Sequence, residues 1–197
     1  MTDAVAGERT RDRMIRIARE LFAKHSYEGA SLQMIASAAG VTKPAISYHF
    51  RTKEELLAAV AAPAFDDLRA YFDALNTQHA KAARRRHAVA GYVDLLVRHR
   101  ELMFLLVEDP GAAASPVIHD RMTAFSDELR RLFVTDWTDL AEQVHVTVAL
   151  GGLRDAAASF PEVPDDDLRL HLQAAADRML ARPLRRGRTP TSPSTEH

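Results

Sequence analysis

The residues best suited to chemistry lie between Ser31 and Lys53. That stretch holds three formal positive charges, Lys43, Arg51 and Lys53, and no acid. Its spacing reads as two short helices around a tight turn. The second helix would turn Lys43, Ala45, Ser47, Tyr48 and His49 outward. A small, acid-free, hydrogen-bonding face after a glycine turn is what the major groove of duplex DNA admits.

The elements that must hold this face are legible in the same residues. Ser31 can cap a first helix whose Leu32, Ile35 and Ala36 face inward. Ala39 and Gly40 end it, glycine being the cheap residue where φ turns positive. Val41 plugs the turn. Thr42 can cap the second helix, where Pro44 is tolerated because its missing N–H has no intrahelical partner. Ile46 and Phe50 point back to a core.

Composition bounds the rest. The chain has 197 residues, 47% hydrophobic, and no cysteine. Disulfides, thiolate nucleophiles and cysteine-type zinc sites are thereby excluded. No apolar run approaches the roughly 18–20 residues of a membrane span. The polar N-terminus lacks an apolar signal core, so a cytoplasmic protein is expected. Charge is uneven: residues 1–55 carry +2, residues 56–181 carry −6 and residues 182–197 carry +3. An acidic body between basic ends is compatible with a local nucleic-acid contact.

Apolar spacing is helical almost throughout, which predicts an all-α fold of about nine helices. The first runs from about Thr10 to His25, with Met14, Ile17, Ala18, Leu21 and Phe22 on one face. Arg9, Arg11 and Arg13 stand where a flexible arm could reach DNA, or where a helix start is simply solvated. Thr52 can cap a fourth helix, with Glu55 closing a capping box, and Pro63 should kink or break it. Later helices are expected at about 82–99, 101–108, 115–134, 136–159 and 165–182. Asp109-Pro110-Gly111 ends one, Ser115-Pro116 and Asp136 start others, and Arg84-Arg85-Arg86 reads as a solvated face. The Pro-, Ser- and Thr-rich tail from Pro183 is expected to be disordered.

From Arg13 to Leu57 the chain resembles the TetR family of transcriptional repressors. Gly40-Val41-Thr42-Lys43, Tyr48-His49-Phe50 and Lys53-Glu54-Glu55-Leu56 are the most specific pieces. The resemblance implies a helix-turn-helix domain over residues 1–55, with its motif at about 32–51. An effector-binding and dimerisation domain would follow over 56–182, then the tail over 183–197. It places Thr42, Lys43, Ala45, Ser47, Tyr48 and His49 at the DNA, with Ser31 and Lys53 beside them. Thr42 and Ser47 can bond phosphates or bases, Lys43 offers a point charge, and the Ala45 methyl can pack on thymine. Tyr48 and His49 can reach phosphate oxygens, and Lys53 adds charge to a helix start that favours anions. Two departures alter the footprint. Ser47 stands where the family often has an aromatic residue, and Pro44 where it often has glycine or another small residue.

For the body the resemblance implies an effector cavity and a helical dimer interface. Phe65, Tyr92, Phe104, His119, Met122, Phe125 and His145 are the candidate effector contacts. Gly151-Gly152, with Leu150, Leu168 and Leu172, are the candidate interface. Two glycines inside a helix cost roughly 1 kcal/mol each relative to alanine, which close helix approach would offset.

The expected function is a homodimeric, sequence-specific regulator, a repressor released from a palindromic operator by a small hydrophobic or aromatic effector. The alternative is a DNA-binding regulator without such an effector, controlled by abundance or by a protein partner. No HExxH, no paired Glu-x-x-His and no phosphate loop argue for an enzyme. No metal, cofactor or membrane partner is expected.

Overall fold

Helix signals in the sequence become ten helices in the computed structural model, which describes residues 2–77 and 80–180, side chains 2–8, 81 and 82 aside. In chain order they are α1 (Thr2–His25), α2 (Leu32–Ala38), α3 (Lys43–His49), α4 (Lys53–Asn76) and α5 (Lys81–Arg98). Then come α6 (Arg100–Glu108), α7 (Pro110–Ala114), α8 (Pro116–Phe133), α9 (Leu140–Ser159) and α10 (Asp165–Leu180). The described residues contain no strand, so the fold is all-α. No described helix is long and apolar enough to cross a membrane.

The first three helices close on Met14, Ile17, Ala18, Phe22, Ile35 and Ile46, all buried. α4 starts beside them and ends in the body. Leu56 and Leu57 are buried at its head end, Phe72 and Leu75 at its body end. It carries Pro63 without breaking. Val60, Ala61 and Ala64 are buried on both sides of the proline, and that packing holds the helix where the Ala59 carbonyl loses its usual donor. In the body, α5 buries Val89, Val93 and Leu96 as its spacing predicts.

Several expectations are corrected. α1 begins at Thr2 rather than Thr10, so Arg9, Arg11 and Arg13 lie on a helix and not on an arm. The Arg11 guanidinium stands over the Phe50 ring at 5.2 Å. Asp109-Pro110-Gly111 starts the short α7 as well as ending α6, because the Asp109 carboxylate caps the N–H groups of Gly111 and Ala112. Asp139, not Asp136, caps α9, accepting from Ala141 and Glu142, while Asp136 accepts from Thr138. Arg85 is not on a solvated face. Its guanidinium donates to the Leu180 and Phe133 carbonyls at 2.6 and 3.1 Å and ties α5 to the ends of α10 and α8. The tail from residue 183 lies outside the described residues.

Candidate nucleic-acid interface and effector cleft

Local chemistry fixes the α2–turn–α3 unit. The Ser31 hydroxyl accepts from the Met34 N–H at 3.2 Å and starts α2. At its end the Val41 N–H donates to the Ala36 carbonyl at 3.0 Å, and Gly40 takes φ +64°, a glycine-closed helix stop. The Thr42 hydroxyl accepts from the Ala45 N–H at 3.4 Å and starts α3, with Pro44 in its first turn. Ile46 is fully buried and Phe50 nearly so, which fixes the rotation of α3 about its axis. Thr52 then caps α4, accepting from Glu55 at 3.1 Å. Glu55 reaches back to the Arg51 N–H at 2.7 Å, one residue ahead of the cap that a standard capping box would serve.

That rotation decides which side chains meet solvent. Thr42, Lys43, Ser47 and Tyr48 are exposed, while Ala45 and His49 are half-buried beside them. Tyr48 is 85% exposed, a large aromatic ring left in water with only the edge of the His49 ring against it, at 5.3 Å. Ser31 lies exposed at the start of α2. Lys53 is different. Its ammonium donates to the Tyr27 carbonyl at 2.8 Å and the Glu28 carbonyl at 3.3 Å, and stands 4.3 Å from the Tyr27 ring centroid. Its charge is thereby held against the turn between α1 and α2.

The body contains a cleft of about 670 Å³ between α5, α6, α7, α8 and α9. Four of the seven candidate effector residues, Tyr92, His119, Met122 and Phe125, meet on its wall. The other three do not. Phe65 stands in a separate groove of about 510 Å³, with Arg121 over its ring at 5.1 Å. Phe125 borders both spaces. Phe104 is 37% exposed, because α6 turns Leu102, Met103 and Leu105 inward instead. The His145 imidazole is paired with the Met179 carbonyl at 2.8 Å, so it joins α9 to α10.

Polar groups converge on the same cleft: His119, Thr123, Thr147 and two ion pairs, Arg130 with Asp127 and Arg154 with Asp155. The buried Tyr92 hydroxyl donates to the Leu150 carbonyl at 3.0 Å. Burial pushes its pKa far above the ordinary tyrosine value, so it stays a neutral donor. A site of this make-up suits a molecule with an apolar body and a polar end.

The candidate interface residues divide. Leu150, Leu168 and Leu172 are buried within the chain's own core. Gly152 is exposed, Gly151 borders the body cleft, and a Cβ at either would meet nothing within 4 Å. Sequence spacing missed the side chains that share the face of Gly152. Leu140, Val144 and Val148 are exposed by 70%, 52% and 66%, four residues apart along α9, with Leu170 at 66% on α10.

Comparison with known proteins agrees with this architecture. Residues 15–60 match the model for bacterial regulatory proteins of the tetR family. The HTH-type transcriptional repressor AcnR of Corynebacterium efficiens is 28% identical over 184 residues, covering 88% of this chain and 81% of that protein. SCO3833, a TetR regulator from Streptomyces coelicolor, superposes with TM-score 0.67 at 21% identity, over 85% of this chain and 89% of its own. AibR, solved with isovaleryl coenzyme A and operator DNA, gives TM-score 0.65 at 19% identity, over 87% and 98% of the two chains. With its helix-turn-helix, the helix that follows and an all-helical body in that order, the chain carries the N-terminal domain of the tetR family of bacterial regulatory proteins at residues 15–60 and shares the fold of solved tetR regulators.

Proposed function

We propose that this regulator acts in the cytoplasm as a homodimeric repressor. Each copy reads one half of a palindromic operator with α3, and a small molecule seated in the body cleft releases the DNA. The observation that carries the reading is the exposed face of α3. Tyr48, Lys43, Ser47 and Thr42 stand in water on a helix whose other side is locked into the core. A large aromatic ring gains nothing from standing in water, an acid-free helix leaves the Lys43 charge without a neighbouring acid in that helix, and both side chains are common contacts to phosphates. Ala45 and His49 flank them. Ser31 adds a hydroxyl at the start of α2. Lys53 acts indirectly, by fixing the start of α4 to the turn that precedes α2.

Single reading heads bind weakly, so two are required. Paired heads contact half-sites about one DNA turn, 34–36 Å, apart. The stripe of Leu140, Val144, Val148 and Gly152 supplies the apolar surface for pairing. The small-molecule reading, rather than control by abundance or a protein partner, is supported by the cleft and its converging polar groups. AibR, of the same fold, was solved with both an acyl thioester and operator DNA, and AcnR is a repressor. The effector class favoured here is therefore an apolar acyl or aromatic group with a polar end.

Selection from a random duplex library with the intact protein tests this. The expected result is an enriched inverted repeat, bound by two chains per duplex in sedimentation. No enrichment at low salt, or one chain per duplex, rejects it.

A further inference from the structure

The corner between α6 and α7 grips the peptide of Tyr27 in the reading head. Asp109 is 7% exposed, and its Oδ2 accepts the N–H of Tyr27, 82 residues away in sequence. Its other oxygen, Oδ1, accepts from the Gly111 and Ala112 N–H groups at 3.0 and 3.1 Å and so starts α7. One carboxylate thus serves two elements. The same Tyr27 is held on its other side by Lys53, whose ammonium takes the Tyr27 carbonyl. The tyrosine ring is buried edge-on against Phe22, at 5.4 Å. Its peptide cannot move without moving what grips it.

The α6–α7 corner is also cleft wall. Met103, Leu106 and Val107 of α6 and Ala113 of α7 line the cavity. At its other end α6 meets α1 through Arg19 and Glu101, 3.3 Å apart, with both side chains at least half exposed. Solvent screens such a pair and leaves it little energy. A buried carboxylate on a backbone N–H is shorter, stronger and costly to leave unmade.

We infer that Asp109 is the latch through which the cleft acts on the reading head. A cleft occupant that shifts the α6–α7 corner draws on the Tyr27 peptide. Through Lys53 the shift reaches both the α1–α2 turn and the start of α4, the two segments flanking the α2–α3 unit. This rests on the operator-binding reading above and adds the route of its regulation. A switch needs an element that both sites bias, and this corner is shared by both.

Three variants of the full chain test it. Asp109→Ser keeps a hydroxyl to cap α7 but cannot serve two elements at once. Asp109→Asn, of equal size, is the second variant should the serine form not fold. Ala113→Trp sets an indole against the corner from the cleft side, a fixed stand-in for an occupant. Amide exchange is read at Tyr27, and affinity is read on the duplex selected with wild-type protein. The Tyr27 N–H should exchange at least about tenfold faster in either Asp109 variant, with α5 and α9 amides unchanged. Ala113→Trp should shift duplex affinity at least about threefold in the native background and by less than about 1.5-fold on Asp109→Ser. Unchanged Tyr27 exchange overturns the inference. So does an Ala113→Trp effect of equal size in both backgrounds, or absent from both. If no duplex is selected, the operator reading fails and the exchange result alone decides whether the latch exists.

Discussion

Gly40 and Gly91 are glycines for different reasons, and the difference is measurable. Gly40 turns at φ +64°, and an added Cβ would meet nothing within 4 Å. Alanine there costs backbone strain alone, about 1 kcal/mol. At Gly91 a Cβ would stand 2.7 Å from the Tyr71 ring, which its own hydroxyl pins to the Ala88 carbonyl at 2.7 Å. Gly91→Ala should therefore cost more, roughly 2–3 kcal/mol of overpacking. Urea unfolding of both variants ranks them, and the reverse order would contradict the packing. Glu142 sets a pH dependence. Burial alone would raise its pKa. Hydrogen bonds from the Asp136 amide and the Thr135 hydroxyl and amide, with Arg85 nearby, outweigh burial and hold it below the ordinary 4.5. A carboxylate depressed on folding stabilises above its ordinary pKa and stops doing so as pH falls through the folded value. The stability gap between wild type and Glu142→Gln should be full at pH 7 and shrink below about pH 4.5. A gap independent of pH would remove that role. At this scale the sequence told whatever is local. Ser31, Thr42, Thr52 and Gly40 act within five residues of themselves, so their types and spacing sufficed. Asp109, Arg85 and Gly91 act on partners far along the chain, which no spacing reveals.

Among the elements, α3 and α9 show what periodicity decides. The inward residues of α3, Ile46 and Phe50, leave a polar remainder, so its outward face was readable from the sequence. α9 is apolar nearly all round, and nothing in its spacing says which side meets the chain's own core. Packing against α5, α6 and α10 takes Val146, Leu150 and Leu153 and leaves Leu140, Val144 and Val148 in water. That is why Leu150, Leu168 and Leu172 lie in the chain's own core, while Gly152 lies on the open face and Gly151 borders the cleft. The stripe makes a plain prediction. Wild-type protein should sediment at about twice the 21.9 kDa chain mass, and Val148→Glu should sediment as a monomer of unchanged helicity. A monomeric wild type, or a dimer that ignores Val148→Glu, would place the interface elsewhere.

Seen whole, the molecule is a reading head and a body sharing α4, with the clearest sequence signal at one end. The head was legible almost residue by residue because its turns and caps are short-range devices. The body was legible only as helices. Its cleft is assembled from five helices, and the order in which they pack is set by long-range burial. In the proposed function the exposed face of α3 reads DNA. The most direct test is a titration of the selected duplex with wild type and with Lys43→Ala/Tyr48→Ala, followed by fluorescence anisotropy at several salt concentrations. Both side chains are exposed, so helicity and unfolding midpoint should not change. Affinity should be at least about tenfold weaker in the variant, with a salt slope smaller by about 1 for each lysine lost per half-site. Equal affinity and equal salt slope for the two proteins would contradict it.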